Sequence, residues 1–225
     1  MIKVVAFDLD DTLYPEREYV LSGFRAVSEL VKKRLGIEDF YSELVKTFDE
    51  GERKKTFNVA LKRLGVEYNA ALIQDLIDCY RAHFPDIKLY DDAMIILRLL
   101  KGKYHLALIT DGHLQAQRNK VRALNLEQIF EKIVYTDEYG KDYWKPSLFP
   151  YQLVMEFFSA KGSECAYVGD NIEKDFIAPN KLGWLTVQIR REEGQYIDIF
   201  ADDNRKAQVR IDSLIDLERV LEEGA

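Results

Sequence analysis

The sequence predicts an α/β fold: a three-layer α/β/α, Rossmann-like parallel sheet core carrying an inserted all-helical segment. Three observations predict it. Short apolar runs rich in β-branched residues alternate with helical-period segments after residue 104. One more such run, VVAF at residues 4–7, stands apart near the start. Between them, residues 17–84 contain helical periodicity and no convincing strand. Runs that are apolar at every position, rather than at alternate ones, suit strands covered on both faces.

The first strand is expected over about residues 3–9. Val20, Phe24, Val27 and Val31 then share one helix face, with Gly36 at its end. Leu44, Val45 and Phe48 form a second stripe, stopped near Gly51; Phe57, Leu61 and Leu64 a third, stopped by Gly65; Leu72, Leu76, Ile77 and Tyr80 a fourth, ending before Pro85. The division is therefore 1–15 with 86–225 as the α/β part and 16–85 as the helical insert. A helix is expected over residues 91–100, capped by Asp91 or Asp92 and stopped by Gly102. HLALIT (105–110) is a strand, 114–124 a helix and KIVYT (132–136) a strand. Ser147 caps a helix with Pro150 in its first turn, where proline is tolerated. ECAYVG (164–169) is a strand, 173–182 a helix, LTVQIR (185–190) a strand and 213–222 a closing helix.

Composition narrows the function. At 225 residues the chain suits one large domain or a core with an inserted module. The net charge of −7, with no basic stripe, argues against a nucleic-acid backbone as partner. No apolar stretch approaches the roughly 20 residues of a membrane helix, so no membrane is expected. The first apolar run is short and leads straight into acidic residues, unlike a signal peptide. Cys79 and Cys165 are isolated and lack metal-ligand spacing, which fits a reduced, cytoplasmic chain with both thiols buried.

The polar residues cluster at strand ends. Asp8 and Asp10 end the first strand, Thr110 and Asp111 the second, and Asp170 the fourth. In parallel sheets ligands bind beyond the carboxyl ends of the strands, so residues distant in sequence converge there. Clustered carboxylates repel unless a cation or a shared proton relieves them. DLDDT (8–12), LITDG (108–112), WKPSLFP (144–150) and GDNIEKD (169–175) occur in that order. Together they resemble the four motifs of the haloacid dehalogenase-like hydrolase superfamily, over the whole chain, and the helical insert resembles its C1 cap.

The resemblance implies a Mg²⁺-dependent phosphatase acting on a small phosphorylated molecule, of the sugar phosphate or nucleotide class. Asp8 is then the nucleophile that forms an aspartyl-phosphate. Asp10 is the acid that protonates the leaving oxygen and later the base for water. That needs a proton on a carboxyl whose ordinary pKa is about 4, supplied by the site or by substrate binding. Thr110, the Asp111 amide and Gly112 cradle the phosphoryl oxygens, and Lys145 neutralises them. Asp8, Asp170 and the Asp10 carbonyl hold the metal, with Asp175 orienting water or Lys145 and Asn171 assisting. Thr12 braces the loop, Asp11 takes no chemical role, and Glu173 faces solvent. One departure from the family pattern is Ala178-Pro179, which implies a shifted helix boundary.

Weaker signals remain. His113, Gln117 and Lys120 follow the second motif at helical spacing; they resemble a pattern of cap-bearing members of that superfamily, but the reading preferred is a solvated helix face. His83 and His105 read as structural. Tyr14 and Tyr19 start the insert and are candidates for lining its floor. GERKKTF (51–57) puts three cations between helices, either as a contact for a second anionic group or as a plain solvated loop. Two rival functions are a cofactor-free 2-haloacid dehalogenase, against which Asp10 and Asp170 speak, and a non-enzymatic receiver-type phosphate-binding module, against which the helical insert speaks. The oligomeric state and the individual substrate are not legible in the sequence.

Overall fold

The computed structural model describes residues 1–191 and 205–223. Two compact units form: Met1–Glu16 with Lys88–Ala225, and Arg17–Ile87.

The first unit is built on a six-stranded, all-parallel sheet. Its strands are β1 (Val4–Phe7), β2 (His105–Thr110), β3 (Lys132–Tyr135), β4 (Cys165–Gly169), β5 (Leu185–Ile189) and β6 (Val209–Ile211), in the order β3-β2-β1-β4-β5-β6. The chain builds outward from β1 to β3 on one side, then crosses over to β4 and builds outward again. The order thus reverses beside β1, the place in such sheets where ligands bind beyond the strand ends. Register aligns the exits: Phe7 lies opposite Leu108 of β2 and Val168 of β4.

Every residue of β1 is buried, which explains its uninterrupted apolar run. Val4 and Ala6 join Ala107, Ile109, Val134 and Tyr167 in a core that also takes in Tyr151, Val154 and Trp184. Val5 and Phe7 point the other way and are equally buried. The second unit is helical: α1 (Glu16–Leu35, which begins in the first unit), α2 (Phe40–Asp49), α3 (Thr56–Arg63) and α4 (Ala70–Ala82). They bury Phe24, Val27, Val31, Phe40, Leu44, Leu61 and Leu76 in a core of their own. The first unit carries α5 (Asp91–Leu100), α6 (Leu114–Ala123), α7 (Phe149–Phe158), α8 (Ile177–Lys181) and α9 (Leu217–Glu223).

Several boundaries differ from expectation for identifiable reasons. The helix expected over residues 173–182 is only Ile177–Lys181, because residues 171–175 form a turn in which the Asn171 carbonyl accepts from the Asp175 amide at 2.9 Å. Pro179 falls in the first turn of α8, where its missing N–H costs nothing. Tyr90, rather than Asp91 or Asp92, occupies the N-cap of α5; the two acids sit in the first turn and suit the helix dipole. Leu148 occupies the N-cap of α7, although the Ser147 hydroxyl still accepts from the Phe149 amide at 3.3 Å. The closing segment splits into a 3-10 turn, Leu214–Asp216, and α9. Strand β6 is three residues long and was not expected; it is too short to show periodicity. Cys165 is buried, whereas Cys79 is only partly so.

Candidate active site

The Asp8 amide donates to the Val168 carbonyl at 2.8 Å, so the ladder between β1 and β4 continues one residue past β1. Asp8 and Asp170 therefore leave the sheet side by side. An oxygen from each of Asp8, Asp170 and Asp175 lies within 4.8 Å of the others. The Lys145 ammonium contacts Asp8 Oδ1, and lies 2.7 Å from Asp175 Oδ1 and 3.1 Å from the Tyr167 hydroxyl. Lys145 and all three carboxylates are buried.

Three buried carboxylates thus converge, two of them paired with one ammonium, and negative charge is in excess. Burial pushes the Asp8 carboxyl up to about 7, with Lys145 pulling it down and Asp175 pushing further up. Burial, Asp175 and Asp8 push Asp170 well above the ordinary carboxylate range. Burial works against the Lys145 charge, but Asp175 and Asp8 outweigh it and hold the ammonium well above its ordinary value.

The carboxylates divide their tasks. Both Asp175 oxygens are engaged: Oδ1 by Lys145 and, at 3.3 Å, by the Tyr167 hydroxyl, and Oδ2 by the Asn171 amide at 3.0 Å. Asp175 is therefore the anchor of Lys145. Among the described residues, Asp8 Oδ2 and the Asp170 carboxylate meet only a long contact, 3.4 Å to each from the Thr12 hydroxyl. Hard anionic oxygens with lone pairs to spare suit a hard divalent cation. The Asn171 side chain turns instead to its own loop, accepting from the Glu173 amide at 3.0 Å, and Glu173 is exposed.

At the end of β2, Thr110 and Asp111 are buried. The Asp111 side chain does more than its sequence position suggested. Its Oδ1 accepts from the Thr136 hydroxyl at 2.8 Å and from the Lys145 amide at 3.2 Å, and its Oδ2 from Lys174 at 3.0 Å. It ties the Lys145 loop to the sheet edge. Burial opposes its charge, but Lys145 and Lys174 keep its carboxyl below the usual range.

The Asp10 side chain bonds to α6 and Tyr14 rather than to Lys145. Its Oδ1 accepts from the Tyr14 hydroxyl and, at 2.6 Å, from Lys120; its Oδ2 accepts from Gln117 at 2.9 Å. Burial raises its carboxyl, but the Lys120 charge and these hydrogen bonds outweigh that and hold it below the usual range. The expected solvated face of α6 is thus overturned for two residues: Gln117 is 2% exposed and Lys120 4% exposed. Only His113 of that trio is exposed. Periodicity had paired them correctly on one face, but could not show that the face turns toward Asp10.

Tyr14 is fully buried, and its hydroxyl donates to Asp10. Tyr19 packs on Tyr80 and His83 within the helical unit, with centroids 5.4 and 4.9 Å away. Tyr167 and Tyr151, which the sequence did not single out, bring their hydroxyls to the Asp175 side chain and carbonyl. Asp11 has left-handed backbone, φ 52°, and its side chain accepts from the Glu16 amide at 2.8 Å, a loop-bracing role. His105 is exposed, paired with Glu131 at 2.9 Å and stacked on Phe158. In the 51–57 loop, Arg53 lies 3.5 Å over the Phe48 ring, while Lys54 and Lys55 are exposed. No helix among the described residues is long and apolar enough to cross a membrane.

Residues 5–189 match the family described as haloacid dehalogenase-like hydrolase. The chain is similar to the glyceraldehyde 3-phosphate phosphatase of Methanopyrus kandleri, 30% identical over 91% of each chain. It is also similar to that of Methanocaldococcus jannaschii, 29% identical over 96% of each. Its fold is similar to that of a 2-haloacid dehalogenase from Pseudomonas syringae, with TM-score 0.70, 20% identity and both chains fully covered. With the strand-end carboxylates, the buried lysine and the reversal of strand order in place, this chain belongs to the haloacid dehalogenase-like hydrolase family.

Proposed function

We propose that the chain is a Mg²⁺-dependent phosphomonoester hydrolase for a small sugar phosphate, working through an aspartyl-phosphate on Asp8. The observation that carries this reading is Asp8 just beyond the end of β1, beside Asp170, with one oxygen on Lys145 and the other held only loosely. Asp8, Asp170 and the Asp10 carbonyl would hold Mg²⁺, which would supply positive charge against the phosphoryl oxygens.

Asp8 attacks phosphorus, and the bond from phosphorus to the ester oxygen breaks. Lys145 balances the charge that spreads over the phosphoryl group. Thr110 accepts from Gln117, which leaves its hydroxyl proton to donate to a phosphoryl oxygen, alongside the backbone amides of Asp111 and Gly112. The leaving oxygen takes a proton from Asp10. Asp10 is held as a carboxylate before substrate arrives, so that proton enters with the substrate, whose phosphate has a second pKa of about 6. Asp10 then takes a proton from water, which attacks phosphorus and frees Asp8 and inorganic phosphate. The helical unit is proposed as the cap that selects the substrate and excludes water.

The relatives named as glyceraldehyde 3-phosphate phosphatases, matched over nine-tenths or more of both chains, favour a short sugar phosphate over a nucleotide. A panel of phosphate esters assayed with Mg²⁺, and again with a chelator, tests the reading. Hydrolysis of triose phosphates that stops on chelation is expected. Halide release from 2-haloacids that persists in chelator would instead establish the dehalogenase alternative.

A further inference from the structure

We propose that Gln117 and Lys120 are positioning residues that fix the Asp10 carboxyl for proton transfer, an inference that rests on the phosphatase reading above. The two residues stand one helical turn apart on α6, so they project on the same side. Both are almost fully buried, which is unusual for their types unless they are paired. Lys120 reaches Asp10 Oδ1 at 2.6 Å, and Gln117 reaches Asp10 Oδ2 at 2.9 Å. The same Gln117 amide also donates to the Thr110 hydroxyl, so it links the phosphoryl cradle to the proton donor. Tyr14 adds a third donor, to Oδ1.

A carboxyl gripped at both oxygens has one orientation. Glycine at 112 makes room for the grip: its φ is +126°, and a Cβ there would come within 3.1 Å of the Gln117 side chain. The spacing of Gly112, Gln117 and Lys120 thereby acquires a physical meaning. A buried ion pair contributes little net stability compared with apolar packing. What Lys120 supplies is the direction in which Asp10 presents its oxygen. Misplacing a reacting group by about 1 Å can cost on the order of 100-fold in rate.

The test is a leaving-group comparison in the full-length protein with Mg²⁺. Glyceraldehyde 3-phosphate releases an alkoxide that needs a proton; p-nitrophenyl phosphate releases an anion that departs without one. Lys120→Met is expected to lower kcat on the alkyl ester by roughly 10- to 100-fold, with KM little changed, and on the nitrophenyl ester by less than about threefold. Gln117→Leu loses more on the alkyl ester than on the nitrophenyl ester, with part of the loss shared by both because Thr110 also loses its donor, and Lys120→Arg restores part of the Lys120→Met loss. In an Asp10→Asn background, Lys120→Met adds no further loss. Thermal unfolding of each variant checks that it is folded; should Lys120→Met fail to fold, Gln117→Leu and Lys120→Arg carry the comparison. Equal losses on both esters, a raised KM at unchanged kcat, or full additivity with Asp10→Asn overturns the positioning role. Wild-type protein inactive on both esters overturns the phosphatase reading itself.

Discussion

Asp170 is the residue whose charge the site tolerates least. Its carboxyl is pushed well above its ordinary value by burial, Asp175 and Asp8, and Asp8 is raised to about 7. In the unfolded chain both return to about 4. Between those values the folded state binds more protons than the unfolded one, so metal-free stability falls as pH rises through that window. Asp10 and Asp111 are shifted downward, and their contribution is lost only as pH falls below about 4. In chelator, the melting temperature should therefore drop between about pH 5 and pH 7.5. Asp170→Asn should flatten that drop and melt higher than wild type at the upper pH. A variant no more stable than wild type there contradicts the charge imbalance. At this scale the sequence was informative where chemistry sits at strand ends: Asp8, Thr110, Lys145 and Asp170 do come to one edge. It was uninformative about Gln117 and Lys120, because a polar helix face looks the same whether water or a buried carboxylate faces it.

The end of β4 shows how an element serves the site. A Cβ on Gly169 would lie 2.4 Å from Asp175 Oδ2, so the strand must end in glycine for Asp175 to fold back over it and hold Lys145. Gly169→Ala should destabilise the protein by about 1–3 kcal/mol through overpacking. It should also depress kcat, since the displaced carboxylate anchors Lys145. Denaturant unfolding and initial rates check both effects; a variant matching wild type in each would show that Asp175 has another place to go. The strands with continuous apolar runs and the helices with clear stripes were readable from the sequence. The turn after Asp170 was not, because its course is set by Asn171 and Asp175 hydrogen bonds rather than by periodicity. Strand β6 was missed because three residues carry no pattern and its pairing to β5 is a tertiary contact.

For the molecule as a whole, the proposed Mg²⁺ would stabilise the fold by offsetting the excess carboxylate charge. A ligand at 100 times its Kd adds about 2.7 kcal/mol to a protein that binds it only when folded. For a chain of this length, that is a rise of roughly 5–10 °C in melting temperature. Mg²⁺ added to chelated protein at pH 7.5 should produce a shift of that order, and Asp170→Asn should lose most of it. An equal shift in both proteins places the cation elsewhere. The partition into an α/β unit and a helical unit follows from where strands are absent in the sequence, since residues 17–84 offer only helical stripes.

The central claim is that Asp8 carries the phosphoryl group during turnover. Wild-type protein turning over glyceraldehyde 3-phosphate with Mg²⁺, quenched in acid and digested, tests it most directly by mass spectrometry of the Asp8 peptide. The account predicts a phosphoryl group on Asp8, absent in Asp8→Asn, which should hydrolyse the ester at less than about a thousandth of the wild-type rate. Phosphorylation of another residue, or brisk hydrolysis by Asp8→Asn, contradicts it.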